Sequence, residues 1–204
     1  MNTIQIGDHT TTPSKIVCIG RNYLEHIREL GNETPAAMVI FVKPNSAVTS
    51  TLQAESGEPL HYEAEICLLV QNGQYQAVGF GLDLTRRELQ SQLKAKGLPW
   101  ERAKAFDGAA CFSHFVDLAD HPIESLSLEL EVNGEIRQAG GYELMMHKPA
   151  DILAEIKTFM SLEDGDIVMT GTPKGVGPVN PGEIFTGRIK SNLTILLEHS
   201  WVAQ

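Results

Sequence analysis

The stretch His61-Tyr62-Glu63-Ala64-Glu65-Ile66-Cys67-Leu68-Leu69-Val70 constrains this chain more than any other. It opens in strict alternation. His61, Glu63 and Glu65 fall on one side of an extended chain, and Tyr62, Ala64 and Ile66 on the other. It closes in an apolar run of the kind found in strands covered on both faces. Two carboxylates therefore stand roughly 6–7 Å apart, two residues of strand rise, at the mouth of a buried segment. Two like charges leave water together only with a remedy: a bound cation, a shared proton or a basic partner.

A third acid follows. Gln71-Asn72-Gly73-Gln74 is a hairpin signal, and the return strand runs to Gly79-Phe80-Gly81-Leu82-Asp83-Leu84. Phe80, Leu82 and Leu84 share its apolar face, so Asp83 lies on the other. Three hard oxygen ligands at Glu63, Glu65 and Asp83 suit Mg²⁺ or Mn²⁺ rather than zinc. The cysteines, Cys18, Cys67 and Cys111, are isolated, with no C-x-x-C spacing, so neither a zinc knuckle nor a disulfide framework is indicated.

The rest of the chain reads as short strands, frequent turns and a few helices. Lys15–Gly20 and Met38–Val42 are strands. Between them Asn22 is placed as the cap of a helix from Tyr23 to about Leu30. On that helix His26 and Glu29 are three apart and face the same way, which by itself is an ordinary surface pair. Thr85-Arg86-Arg87-Glu88 has the form of a capping box for a helix ending near Lys96. Arg102, Lys104 and Asp107 read as solvated charges. Leu126, Leu128, Leu130 and Val132 alternate inward, and Asn133-Gly134 turns that strand into a second hairpin. Ala150–Met160 is an amphipathic helix, and strands follow at Ile167–Thr170, Glu183–Ile189 and Leu193–Glu198. The glycine-rich run Gly171–Gly177 lacks the phosphate-loop pattern. It is either a plain turn or a means of bringing backbone N–H groups and the Thr172 hydroxyl to an anion. Without regular βαβ alternation, a doubly wound sheet or (β/α) barrel is not expected. The expectation is one α+β, β-rich domain over residues 1–204.

Bulk properties exclude several classes. With 204 residues and a net charge of −10, the chain has length for a real core but lacks the basic surface that non-specific nucleic-acid binding needs. No apolar run approaches membrane-spanning length, and the N-terminus has no signal-peptide pattern, so a cytoplasmic protein is expected.

Taken together, the motifs resemble the fumarylacetoacetate hydrolase family. They are Gly20-Arg21-Asn22-Tyr23 with His26; Tyr62-Glu63-Ala64-Glu65; Leu82-Asp83-Leu84-Thr85 with Arg87 and Gln90; and Gly97-Leu98-Pro99-Trp100 with Lys104 and Phe106. Asn133-Gly134-Glu135 with Arg137-Gln138, and Gly165 through Pro178, complete the set. The branch they resemble most is that of acylpyruvases and oxaloacetate decarboxylases. The resemblance implies a mixed, rolled β-sheet with a few short helices, a divalent metal (Mg²⁺ or Mn²⁺) on Glu63, Glu65 and Asp83, and a homodimer. It also turns His26 and Glu29 into a catalytic dyad and Lys104 into a catalytic or substrate-binding lysine. Arg21, Arg87, Gln90 and Thr172 become contacts to a small 2-oxo acid. The implied reaction is hydrolysis of an acylpyruvate, such as fumarylpyruvate or acetylpyruvate, at its C–C bond. The alternatives are isomerisation, decarboxylation or tautomerisation of a 2-oxo dioate, or 2-oxo-acid binding without catalysis.

Overall fold

The structure, a computed structural model, describes residues 1–31, 33–119 and 121–204. The first part of the chain holds β1 (Ile4–Ile6), β2 (His9–Thr11), β3 (Lys15–Gly20), helix α1 (Leu24–Glu29), β4 (Val39–Pro44) and β5 (Val48–Thr49). Then come β6 (Leu60–Tyr62), β7 (Ala64–Gln71), β8 (Gln74–Asp83), β9 (Thr85–Arg86), α2 (Arg87–Ala95) and α3 (Glu101–Lys104). The C-terminal half adds β10 (Ala110–Asp117), β11 (Leu126–Val132), β12 (Glu135–Gly141), α4 (Pro149–Ile156), β13 (Ile167–Met169), β14 (Gly177–Pro178), β15 (Ile184–Ser191) and β16 (Thr194–Val202).

A nine-stranded mixed sheet runs β2-β1-β10-β8-β7-β13-β3-β4, with β5 beside β10. Its β1–β10, β5–β10 and β3–β13 pairs are parallel and the rest antiparallel. The sheet is rolled. On a flat sheet β4 and β8, four strands apart, would be separated by about 19 Å. Instead the Lys43 ammonium, on β4, is 2.8 Å from Asp83 at the end of β8. Asn2, just before β1, and Asn45, just after β4, exchange hydrogen bonds of 2.7 and 2.8 Å, which ties the two ends of the roll together.

An antiparallel four-stranded sheet, β12-β11-β15-β16, covers the outside of the roll. The alternation expected of Leu126–Val132 is observed, with its leucines and Val132 buried. They meet Ile66, Leu68, Phe80 and Leu82 in the main core, with Phe185, Ile189 and Trp201. The opposite faces of β7 and β8 look into the roll, where Cys67 and Leu69 join Ile16, Cys18, Phe112, Phe115 and Met169. Helix α4 seals the back of β3 and β13 through Ile152 and Ile156. Among the described residues no helix is long and apolar enough to cross a membrane.

Both Asn-Gly hairpins form with left-handed turn residues, Asn72-Gly73 at φ 53° and 70° and Asn133-Gly134 at 52° and 82°. Two expected caps do not form. Helix α1 starts at Leu24 with no side-chain cap. The Asn22 amide instead bonds the His147 and Thr170 carbonyls at 2.9 and 2.8 Å, and accepts the His147 N–H at 2.7 Å. Helix α2 begins at Arg87, too late for Thr85 to reach its first turn. The Glu58 carboxylate, from a distant loop, caps the N–H of Glu88 at 3.0 Å. Strands β1, β2 and β10 carry no strong pattern and are not expected from the sequence; β10 in particular is an interior strand, between β1 and β8.

Candidate active site

Glu63 sits at the break between β6 and β7, Glu65 near the start of β7, and Asp83 at the end of β8. Glu65 pairs with Gly81, and the Asp83 N–H donates to the Glu63 carbonyl at 2.8 Å. That register depends on a bulge. Next to the turn, Val70 faces Tyr75, but beyond it Leu69 faces Ala77, leaving Gln76 as an extra residue on β8. Continued without the bulge, the pairing would set Phe80 opposite Glu65 and turn Asp83 to the other side, because a one-residue slip inverts every side chain. With it, carboxylate oxygens of Glu63, Glu65 and Asp83 come within 4.8 Å of one another, at 6 %, 2 % and 1 % exposure.

Cations answer two of the three. The Lys104 ammonium reaches Glu63 at 2.9 Å, Asp83 at 2.7 Å and the Thr85 hydroxyl at 2.7 Å, and Arg87 pairs with the other oxygen of Glu63. Lys104 is thus buried, not a solvated charge. Lys43, fully buried, is in charge contact with the far oxygen of Asp83. It also donates to the backbone carbonyls of Lys104 and Ala109, which fixes α3 over the cluster. Burial raises the Glu63 pKa, but Lys104 and Arg87 outweigh it and hold the carboxyl below its ordinary range. Lys104 is held charged in return: burial works against its proton, and Asp83 and Glu63 prevail.

Glu65 is different. No cation among the described residues lies within 4.0 Å of it, and it accepts the Gly171 N–H at 2.6 Å. Burial first, then Asp83 and Glu63, push its pKa well up. Lys104, Arg87 and Lys43 all lie against Glu63 and Asp83, so Glu65 is the buried carboxylate left without a cation in contact, and a divalent ion on the three clustered oxygens would supply one. The donor set therefore fits a hard metal ion.

Helix α1 brings His26 to this pocket, 5 % exposed, with Nδ1 3.3 Å from Glu29. Glu29 in turn accepts the Gly175 N–H at 3.0 Å. This is a buried histidine oriented by a carboxylate, not a surface pair. Gly175 has φ +99°, and a Cβ there would lie 1.9 Å from the Arg137 carbonyl oxygen. Gly171 has the same φ, and its Cβ would lie 2.7 Å from that of Asn22. Only glycine lets the loop deliver both N–H groups. The Gln138 amide, buried on β12, donates to the Thr172 hydroxyl at 2.8 Å and to the Pro173 carbonyl at 2.7 Å, and accepts the Ala64 N–H at 2.9 Å.

One pocket of about 440 Å³ is lined by Arg21, His26, Glu63, Glu65, Asp83, Arg87, Gln90, Lys104 and Thr172. Of the ten residues expected at the site, Glu29 alone does not line it, standing behind His26. Arg87 also donates to the Gln90 side chain at 2.8 Å, so the pair presents one polar edge. Sequence reading passes over Lys43 and Lys94, and it places Gln138 in a motif without giving it a role. A lysine ending the apolar run Val39–Val42 is the one signal that would have singled out Lys43.

Known proteins share this arrangement of sequence and fold. Residues 15–196 match the model of the C-terminal domain of fumarylacetoacetate hydrolase. The oxaloacetate tautomerase YcgM of Escherichia coli is 38 % identical over 191 residues, covering 85 % of this chain and 87 % of its own. A mitochondrial oxaloacetate tautomerase of Bos taurus is 39 % identical over 202 residues, covering 88 % and 89 %. The crystal structure of fumarylpyruvate hydrolase from Pseudomonas aeruginosa, in complex with Mn²⁺ and pyruvate, superposes with a TM-score of 0.88 at 30 % identity, covering 99 % of this chain and 95 % of that one. The rolled sheet, the buried carboxylates and these matches lead to one conclusion: the chain belongs to the fumarylacetoacetate hydrolase family.

Proposed function

We propose that this chain is a metal-dependent tautomerase of a 2-oxo dioate, with oxaloacetate as the reference substrate. The observation that carries the reading is the buried His26, paired with Glu29 behind it and facing the same pocket as Glu63, Glu65 and Asp83. The similar proteins named oxaloacetate tautomerases support it. Their names put tautomerisation ahead of acylpyruvate hydrolysis, the reaction that the sequence motifs alone put first.

Keto–enol interconversion moves one proton between C3 and the oxygen on C2 and breaks no C–C bond. His26 is the group suited to move it. Its Nδ1 faces Glu29, so Nε2 is left for the substrate, and the carboxylate favours the imidazolium that forms when His26 takes the C3 proton. Glu29 is itself held by the Gly175 N–H. Arg87 and Gln90 bind the 2-oxo acid head, and the Thr172 hydroxyl, fixed by Gln138, orients it. Lys104 holds Glu63 and Asp83 in place and keeps Glu63 ionised. Mg²⁺ or Mn²⁺, held by Glu63, Glu65 and Asp83, would stabilise the negative charge that develops on the enolate oxygen. The working form is taken as a cytoplasmic homodimer of one catalytic domain spanning 1–204, a stoichiometry that light scattering decides.

The test follows the decay of enol-oxaloacetate absorbance with Mg²⁺ or Mn²⁺, alongside cleavage of acetylpyruvate and fumarylpyruvate. Rapid enol decay is expected, with H26A slowing it by roughly 10²–10⁴-fold while calorimetric metal affinity stays close to wild type. Efficient cleavage of fumarylpyruvate with no effect on enol decay would instead select the hydrolase reading, for which the Pseudomonas aeruginosa structure is the precedent.

A further inference from the structure

The proposed reaction assigns no role to two cations in the pocket lining, Arg21 and Lys94. Arg87, Gln90 and Lys94 recur at i, i+3 and i+7 on α2 and so share a face, and all three line the pocket. Arg87 marks the end of that face nearest the carboxylates, where it meets Glu63. Lys94 stands roughly 10 Å further along the axis. Helical side chains lean back toward the N-terminus, which carries its ammonium toward Gln90 and the cavity.

Arg21 lines the same pocket. It is a non-glycine residue held at φ 56°, a backbone conformation that costs energy and recurs at ligand clamps. Among the described residues no carboxylate pairs with it. Its charge bears on Lys94, whose pKa is lowered first by burial and then by Arg21 and Arg87. Both are half-buried cations in the lining of one pocket, and Lys94 feels the attraction of Glu63 as well as the repulsion of Arg21 and Arg87. An anionic group bound in that part of the pocket would meet both side chains.

We propose that Arg21 and Lys94 seat the far carboxylate of the substrate, and that Lys94 makes the site selective for 2-oxo dioates over 2-oxo monoacids. The proposal rests on the tautomerase reading for the placement of the 2-oxo head at Arg87 and Gln90. It adds a recognition element for the other end of the molecule.

The test compares oxaloacetate with its 4-methyl ester, which keeps the enolisable head and removes the far charge. In wild type kcat/KM should favour the dianion by roughly 10–100-fold, the ratio expected of one charge-assisted contact. K94M should collapse that ratio toward one, chiefly by raising KM for oxaloacetate, and K94R should restore most of it. An unchanged ratio in folded K94M overturns the proposal; if K94M does not fold, K94Q carries the same comparison. Should wild type turn over neither compound, the tautomerase reading fails. Calorimetric binding of the two compounds then decides the role of Lys94: a preference for the dianion that is lost in K94M supports it, and equal preference in both proteins overturns it.

Discussion

Asp166 does for the framework what Lys104 does for the site. Its buried carboxylate accepts from the Ser14 hydroxyl at 2.7 Å, the Ser14 and Lys15 N–H groups at 2.9 and 3.1 Å, the Glu163 N–H at 2.8 Å and the Lys15 ammonium at 2.5 Å. It thereby locks the entry of β3 to that of β13. Burial alone would raise its pKa, but Lys15 and the other donors outweigh it, and the group is held below its ordinary value. A depressed carboxyl stabilises the fold above the unfolded-state value, about 3.9, and that contribution is lost as pH falls through the folded value. D166N should therefore cost about 2–3 kcal/mol at pH 7, and the gap to wild type should narrow as urea melts are repeated below about pH 4. The role of Asp166 is not written in its neighbours: Glu163-Asp164-Gly165-Asp166 reads as a plain turn, and the partners that tie it to β3, Ser14 and Lys15, lie 152 and 151 residues away.

At the scale of elements, helix α2 carries Arg87, Gln90 and Lys94, so its first turn matters to the site. The sequence offers a capping box, but the structure uses Glu58 for the cap and gives the Thr85 hydroxyl to Lys104. E58A should cost about 1 kcal/mol in denaturant melts and raise KM through fraying of the Arg87 end, whereas E88A should sit within about 0.5 kcal/mol of wild type. The reverse order would restore the capping box. The same scale shows where sequence reasoning succeeds and stops. Alternation correctly puts Glu63 and Glu65 on one face, and Asn72-Gly73 correctly fixes the turn. The bulge at Gln76 leaves no mark in the sequence, yet it decides that Asp83 joins them. Tertiary packing likewise overrides local patterning at Lys104, which reads as a solvated charge and is 2 % exposed.

For the whole molecule, the roll brings together residues from β4, β7, β8, α1, α3 and the loop after β13 around one cavity. A ligand that binds only this assembled state stabilises it by mass action. Saturating Mg²⁺ or Mn²⁺, at about 100 times its dissociation constant, should add about 2.7 kcal/mol. That corresponds to a Tm shift of roughly 5–11 °C for a chain of this size. Chelation should reverse the shift, and E65Q should abolish most of it. Metal-independent melting would exclude a cation at the three carboxylates. The architecture was legible in broad terms, since strand-rich alternation and the absence of βαβ repeats point to a mixed sheet. The closure of the sheet is legible only through the family resemblance and not from local patterning, because it depends on contacts such as Asn2 to Asn45 and Lys43 to Asp83 that couple segments far apart in the chain.

The backbone at Gly175 has a consequence for how mutational maps of this protein would read. Its N–H orients Glu29, and even a methyl group there would collide with the Arg137 carbonyl on β12. A saturation scan scored by growth would therefore mark Gly175 as intolerant as His26, although it contributes no reacting atom. Scored by abundance, the two positions should separate: substitutions at His26 leave a folded, silent protein, and those at Gly175 deplete it from the cell.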